Sequence, residues 1–509
     1  MTTDLSRAAA ATTWYAAVIF LSSACLLILE IVASRLLAPY VGVSLYTWTA
    51  IIGVILAGLS LGNWLGGLWA DRGAGTAAAG WTLVASGTVT LAVPTLLVHL
   101  AEFLQAQTLS LVSASLAYVS ALFFVPALVL GVITPLLTTL ALSINRHPGR
   151  VVGAMHALAA LGSICGTFAA GFWLVPWFGT RNIIAATGVF LAFLGLVFLV
   201  RRPRAAMGAV ALCAAAILAL ASGGGLRNPC DTESLYYCIR VVDEPTDYGP
   251  SRTLVLDHMV HSNNHASDPE LLILPYAQAM HELLMRRLRV NDSKSPRVFF
   301  AGGGAYTQPR ALAHLLPMAH IEVAELDAAV TATARNDLYV DMENFIVHDA
   351  DARIQLPRAP RNDFDAIVTD VFHDVAVPYH LTTVEFVDVV ESRLKPDGVY
   401  LLNIIDVFPD SRLVKAIVKT LRTRFANIQV WLERPPQNAG RLTYIVSATN
   451  AAPYAPVLMA QTGLERTWYD LTEPVESIGT GVGDIPVLTD DYAPVERLVS
   501  TLFWTEMGL

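Results

Sequence analysis

The feature that most restricts this chain is a succession of seven apolar runs, at 14–37, 45–70, 77–99, 112–142, 153–176, 182–200 and 205–223. A helix needs about 20 apolar residues to cross a bilayer, and each run reaches roughly that length. Backbone in lipid must satisfy its own hydrogen bonds, so these runs are expected as membrane-spanning helices. The fourth is overlong and holds Gly131 and Pro135, which predicts a tilted, kinked or partly re-entrant helix. The first is full length and no small-residue cleavage site precedes the second, so a cleaved leader is not expected. Beyond Gly225 the composition becomes that of a globular protein, giving two domains, 1–225 and 226–509. The whole chain, 54% hydrophobic and 15% charged over 509 residues, is too apolar for an ordinary soluble enzyme.

Arginines in the short loops set the expected orientation, because cytoplasmic loops collect positive charge. Arg7, Arg72, Arg146, Arg150, Arg201, Arg202 and Arg204 fall on the amino-terminal side, Arg181 and Arg227 on the other. This places the amino terminus in the cytoplasm and, after seven spans of the inner membrane, the second domain outside. Cys230 and Cys238 bracket "CDTESLYYC" just past the last run. In an oxidising compartment they would close a disulfide, and two unpaired thiols are the alternative. Cys25, Cys165 and Cys213 lie in spans, where a thiol acts as a small apolar filler. A net charge of −9 and the lack of a basic stripe argue against a nucleic-acid partner.

Within the apolar domain, Gly58, Gly62 and Gly66 in the second run form a stripe at four-residue spacing. Gly162, Gly166 and Ala170 do the same in the fifth. Such stripes let helices approach closely. Glu30, Arg35, Asn63 and His156 are costly in lipid unless they face the bundle or water, so Glu30 and Arg35 form a candidate polar site. They also fit a mutual pair, or side chains snorkelling to the interface.

The second domain begins with strand-like "SLYYCIRVV" and "RTLVLD", which suggest a small β region. Strands "RVFFA", "HIEVAE", "DAIVTD", "VYLLNII", "IQVWL" and "LTYIVSA" then alternate with helical patterns at 307–316, 328–337, 383–394 and 411–424. This alternation predicts a mostly parallel, doubly wound α/β sheet. Ligands bind such sheets at the carboxyl ends of the strands. "AGGGAY" follows the first strand, and it is not the GxGxxG of a dinucleotide pyrophosphate site. Glu325 ends the second strand, where an acid accepts hydrogen bonds from ribose hydroxyls. Asp351 in "HDADARIQL" could accept from an adenine amino group. Asp370 ends "DAIVTD", where a carboxylate can position and deprotonate an attacking amine.

The order of GGG, strand-end Glu, "DAR", strand-end Asp and "VPYHLTTVEFVDVVESRLKPDGVYLLNI" resembles the spermidine synthase-like, or polyamine aminopropyltransferase, family. That family shares the Rossmann-like fold of S-adenosylmethionine-dependent methyltransferases. "LEIVASRLLAPYVGVSLYTWTAIIGVILAGLSLGNWLGGLWADR" and "LTDDYAPVE" are similar to its membrane-fused branch. The resemblance implies transfer of an aminopropyl group from decarboxylated S-adenosylmethionine to an amine, releasing methylthioadenosine. Donor and acceptor are co-substrates; no permanently bound cofactor and no metal is implied, since the sulfonium carries its own leaving group. By position, Gly302, Gly303, Gly304, Glu325, Asp351 and Ala352 would hold the donor and Asp370 would be the base. Tyr276, His373, Asp374 and Tyr379 fall where the acceptor would lie, and a homodimer is the family's common state.

The chain departs from the pattern at several points. Where soluble members read GGGDG, with an Asp expected to pair with the donor's ammonium, this sequence has Ala305 and Tyr306. The second acid expected three residues after the catalytic Asp is His373, with Asp374 adjacent. The motif resembling DGxxQ reads "DHMVH", and the expected "YHE" reads "YAQ", Tyr276 to Gln278. Losing polar partners of a polycation weakens the case for putrescine, because a buried ammonium without a carboxylate is expensive. A methyltransferase on the same site is one alternative, and a transporter or sensor whose second domain only binds a nucleoside or polyamine is another. The implied donor is a cytosolic metabolite, so an outside site requires either that the fourth run makes two passes or that the donor crosses the bundle.

Overall fold

The computed structural model describes residues 2–107, 109–145, 147–291, 295–371 and 377–504. His373 and Asp374 therefore lie outside the described residues. The chain separates into two compact units, the first ending at Pro229 and the second spanning Cys230–Thr505.

The first unit is helical: α1 (Thr2–Val41), α2 (Leu45–Asp71), α3 (Thr76–Gln105), α4 (Leu111–Gly131), α5 (Ile133–Leu142), α6 (Pro148–Ala169), α7 (Val175–Phe178), α8 (Thr180–Leu199) and α9 (Pro203–Ser222). Among the described residues, seven stretches are long and apolar enough to cross a membrane, with α4–α5 as one and α6–α7, joined by a π-turn at Ala170–Leu174, as another. The fourth run breaks at Val132, where Pro135 has no N–H to donate to the Gly131 carbonyl. Helix α5 has 10 residues, so it is about 15 Å long and too short for a second crossing.

The glycine stripes are close backbone contacts. A methyl group on Gly62 of α2 would stand 2.0 Å from the Leu128 carbonyl oxygen of α4, and one on Gly58 would stand 2.7 Å from that of Phe124. Gly162 and Gly166 of α6 lie likewise against the Phe20 and Ala24 carbonyls of α1, at 2.1 and 2.3 Å. A third pair joins α3 to α8, where Gly87 meets the Gly188 carbonyl at 2.5 Å and Gly195 that of Gly80 at 2.6 Å. Tight packing replaces the hydrophobic drive that lipid removes. Asn63 and His156 turn to the outside of this unit and not into the bundle. The glycines occupy the packed side of each helix, and residue 63 stands about 100° around the helix from Gly62. Glu30 and Arg35 are half-buried in α1. Glu30 makes no hydrogen bond or ion pair among the described residues.

The second unit opens with an antiparallel sheet of β1 (Thr232–Glu233), β2 (Cys238–Thr246), β3 (Gly249–Leu256) and β4 (Met259–His265), in that order. A disulfide joins Cys230 to Cys238 at its edge. Helix α10 (Pro275–Val290) leads into the main sheet. There follow β5 (Arg297–Ala301), α11 (Thr307–Leu315), β6 (His320–Glu325), α12 (Ala328–Asp337), β7 (Phe345–Asp349), α13 (Ala352–Gln355), β8 (Phe364–Thr369), α14 (Val384–Arg393), β9 (Leu394–Phe408), α15 (Arg412–Leu421), β10 (Asn427–Leu432), β11 (Gly440–Thr449), β12 (Val457–Met459) and β13 (Thr467–Asp470). The strand order is β12-β13-β10-β11-β9-β8-β5-β6-β7.

Only β9-β8-β5-β6-β7 is parallel, and β12, β13, β10 and β11 add antiparallel pairings. The sheet is therefore mixed, not mostly parallel. Residues Phe364–Thr369 of β8 are all buried, as befits a central strand covered on both faces. From β5 the chain winds outward through β6 and β7, then returns to its other side as β8. This reversal is the topological switch point at which open α/β sheets bind ligands.

Candidate active site

Three strand ends converge at that switch point. After β5 the chain turns through Gly302 at φ +89° and Gly304 at φ +52°, backbone that favours glycine. A methyl group on Gly302 would stand 2.1 Å from the Asp370 carbonyl oxygen, so only glycine lets the ends of β5 and β8 approach this closely. Tyr306 is also left-handed, at φ +56°. Its buried ring lies beneath Gly303 and its hydroxyl is 2.8 Å from the Thr331 hydroxyl. Ala305 is buried too, and its carbonyl accepts from the Asn264 amide at 2.8 Å. The two departures from GGGDG thus pack into the protein behind the turn.

Glu325, at the end of β6, braces this turn. Its Oε2 accepts from the Gly303 and Gly304 N–H groups at 2.8 and 3.2 Å, and its Oε1 accepts from Asp327 N–H at 3.0 Å. Burial raises its pKa and outweighs the three N–H donors, which favour the charged form. Asp351 caps α13 by accepting from Arg353 N–H at 2.7 Å, and its Oδ2 lies 2.9 Å from His380 Nε2. The His380 hydrogen bond holds the Asp351 carboxyl below its usual range. The Arg353 guanidinium donates to the His380 carbonyl and to Asp490 of "LTDDYAPVE", tying that segment to this loop.

Asp370, just beyond β8, is set apart by its surroundings. Asn403 of β9 donates from Nδ2 to Asp370 Oδ1 at 2.9 Å. The Tyr276 hydroxyl, at the start of α10, is within hydrogen-bonding reach of Asp370 and Ser262, and donates to the His261 carbonyl at 2.6 Å. It has one proton to give, so Asp370 and His261 are alternative acceptors. Burial pushes the Asp370 carboxyl up to about 6, against the hydrogen bonds from Asn403 and Tyr276, and the Glu325 charge adds to the rise. A carboxylate with a pKa near neutrality is suited to exchange protons with a substrate.

These groups surround one cleft, lined by Gly302, Gly304, Glu325, Asp351, Ala352 and Asp370 among others. The strand-end residues singled out from the sequence therefore come together, with Gly303 held by Glu325 at the rim. Tyr276 reaches Asp370 through its hydroxyl, whereas Tyr379 is 56% exposed and absent from the lining. Tyr237, His261 and His380 also line the cleft, and Asn403 supports it from β9. None of these four was assigned a role from sequence. Their partners lie far off along the chain, and the segments that hold them, "SLYYCIRVV", "DHMVH", "VPYHLTT" and "VYLLNII", carry no local mark of that role.

Comparison with known proteins gives these residues a context. Residues 277–454 match the spermine/spermidine synthase domain. A polyamine aminopropyltransferase of Vibrio vulnificus is 30% identical over 173 residues, covering 33% of this chain and 56% of that protein. Polyamine aminopropyltransferase 1 of Streptomyces coelicolor is 25% identical over 321 residues, 59% of this chain and 60% of that one. The chain thus spans little more than half the length of either relative. The crystal structure of a probable spermidine synthase from Corynebacterium glutamicum aligns with TM-score 0.42 at 20% identity, over 51% of this chain and 95% of that one.

Proposed function

Because its second unit belongs to the spermidine synthase-like family, we propose that this chain is a membrane-bound transferase. It moves an aminopropyl group from the sulfonium of decarboxylated S-adenosylmethionine to an amine. The observation that carries this reading is Asp370, held by Asn403 and within reach of the Tyr276 hydroxyl, in the same cleft as Glu325 and Asp351. The glycine turn, Glu325 and the Asp351–Ala352 segment hold the nucleoside. The amine nitrogen attacks the methylene carbon bonded to sulfur. The carbon–sulfur bond breaks with its electron pair on sulfur, leaving methylthioadenosine, and the nitrogen's proton passes to the Asp370 carboxylate. Burial of Asp370 makes it a stronger base than an exposed carboxylate, and Asn403 keeps it aimed.

The cleft also favours a donor that has lost its carboxylate. Its charged lining is Glu325, Asp351 and Asp370, and no lysine or arginine lines it among the described residues. An intact S-adenosylmethionine carboxylate would sit among like charges with no cation to meet it. The seven apolar helices support insertion in the inner membrane, and the disulfide and the arginine distribution favour an outside position for the second unit.

The test is Asp370→Asn in the purified full-length protein. A general base contributes about 100-fold or more, so turnover should fall at least that far while donor binding persists. Unchanged turnover would remove Asp370 from the chemistry and with it this reading.

A further inference from the structure

Tyr276 stands between two cavities. Its hydroxyl is within reach of Asp370, and the residue lines a second groove with Val260, Trp431, Trp468, Ile445 and Thr443. The register links the two again. Asn403, which holds Asp370, is paired with Ile445, and paired residues of neighbouring antiparallel strands project from the same face. The groove therefore comes near the base through Tyr276 and the Asn403–Ile445 pair. On the proposed reading it is the approach for the acceptor's distal end.

Its charges are the wrong sign for a polycation. Arg434 and Arg441 both line it, against one carboxylate among the described lining residues, Glu433. That carboxylate is itself 3.8 Å from the Arg466 guanidinium. Arg434 makes no side-chain hydrogen bond or ion pair to a described residue, and Arg441 reaches the Met259 sulfur at 3.2 Å and makes a further contact besides. The adjoining depression brings Glu465 and Arg466 as a further pair of opposite sign, so the arginine excess remains. The buried residue where the resemblance expects an acid, Gln278, is neutral. Its amide donates to the Thr462 and Leu464 carbonyls and accepts from Arg466.

Arg441 lies four residues along β11 from Ile445, about 13 Å, and on the same face of the sheet.

We infer that the acceptor is an amine carrying an anionic group at its far end, an ω-amino acid in chemical class, and not a di- or polyamine. The arginines bind the anion, the groove takes the methylenes, and the amine is delivered to Asp370. This inference rests on the transferase reading above.

The test compares putrescine with 4-aminobutyrate, nearly equal in length but opposite in distal charge, on the purified full-length protein with decarboxylated S-adenosylmethionine. The ratio of kcat/KM should favour 4-aminobutyrate by at least tenfold. The double variant Arg434→Glu/Arg441→Glu, at two exposed positions, should reverse that ratio through KM for the amine, with KM for the donor unchanged. Preference for putrescine in the unaltered protein, or a ratio indifferent to the double variant, would overturn the inference and leave the transferase standing. No transfer to either amine, with the donor bound, would remove the transferase reading and the inference together.

Discussion

Replacing Asn403 by leucine removes one hydrogen bond from the proposed base while leaving the base in place. Asn403 is 8% exposed and donates to Asp370 Oδ1 at 2.9 Å, and leucine keeps its branched shape with the same number of side-chain heavy atoms. A hydrogen bond to a charged group contributes about 1.5–3 kcal/mol. At 1.36 kcal/mol per pKa unit, its loss raises the Asp370 carboxyl by about one to two units. The direction follows from which form is bound: Asn403 stabilises the ionised carboxylate, so its removal favours the proton. Starting from about 6, the acid limb of the rate profile should move to about 7–8. At pH 7 the ionised fraction then drops from about 0.9 to between about 0.5 and 0.1, a twofold to tenfold loss of rate, with recovery by pH 9. The assay is kcat/KM against pH, read from methylthioadenosine release. A loss that persists undiminished at pH 9, or an acid limb that does not move, would refute Asp370 as the titrating base.

Three other outcomes are expected. Gly302→Ala places a methyl group 2.1 Å from the Asp370 carbonyl in left-handed backbone, so donor affinity measured by calorimetry should fall at least tenfold; unchanged affinity would put the donor elsewhere. Gly62→Val forces α2 away from the Leu128 carbonyl, now 2.0 Å from where its methyl would stand. It should cost the first unit about 3 kcal/mol, read as a lower midpoint for thermal loss of helix in detergent. Cys230→Ser opens the disulfide to Cys238, whose sequence separation is 8, and should cost about 2.5 kcal/mol. The unaltered protein should lose the same stability in reductant, whereas the variant should not respond to it.

Local periodicity made much of this molecule legible. The apolar runs stand out because lipid admits little else, and the break at Val132 could be anticipated from Gly131 and Pro135. The parallel strands β5, β6 and β8 read clearly as β-branched and aromatic runs, β5 leading into the glycine turn and β6 and β8 into Glu325 and Asp370. The antiparallel additions did not, because β12 and β13 are 3 and 4 residues long, too short to show a period. Helix α10 was not legible as an amphipathic helix, because its residues from Ala277 to Met285 are all buried, polar ones included, and show no apolar stripe. Within the site, Gly302, Glu325, Asp351 and Asp370 could be found because each ends or follows a strand. Asn403 and His380 could not: 33 residues separate Asn403 from Asp370 and 29 separate His380 from Asp351, and only the folded sheet brings them together. The α3–α8 contact was hidden for a similar reason, its glycines being split between two helices rather than striped along one.

The most direct measurement is product analysis by mass spectrometry on the purified full-length protein, given decarboxylated or intact S-adenosylmethionine in separate reactions with a panel of amines. The expected result is methylthioadenosine together with an amine extended by one aminopropyl group, from the decarboxylated donor only, and lost in Asp370→Asn. S-adenosylhomocysteine from the intact donor would instead make the site a methyltransferase. Donor bound without either product would contradict transfer altogether.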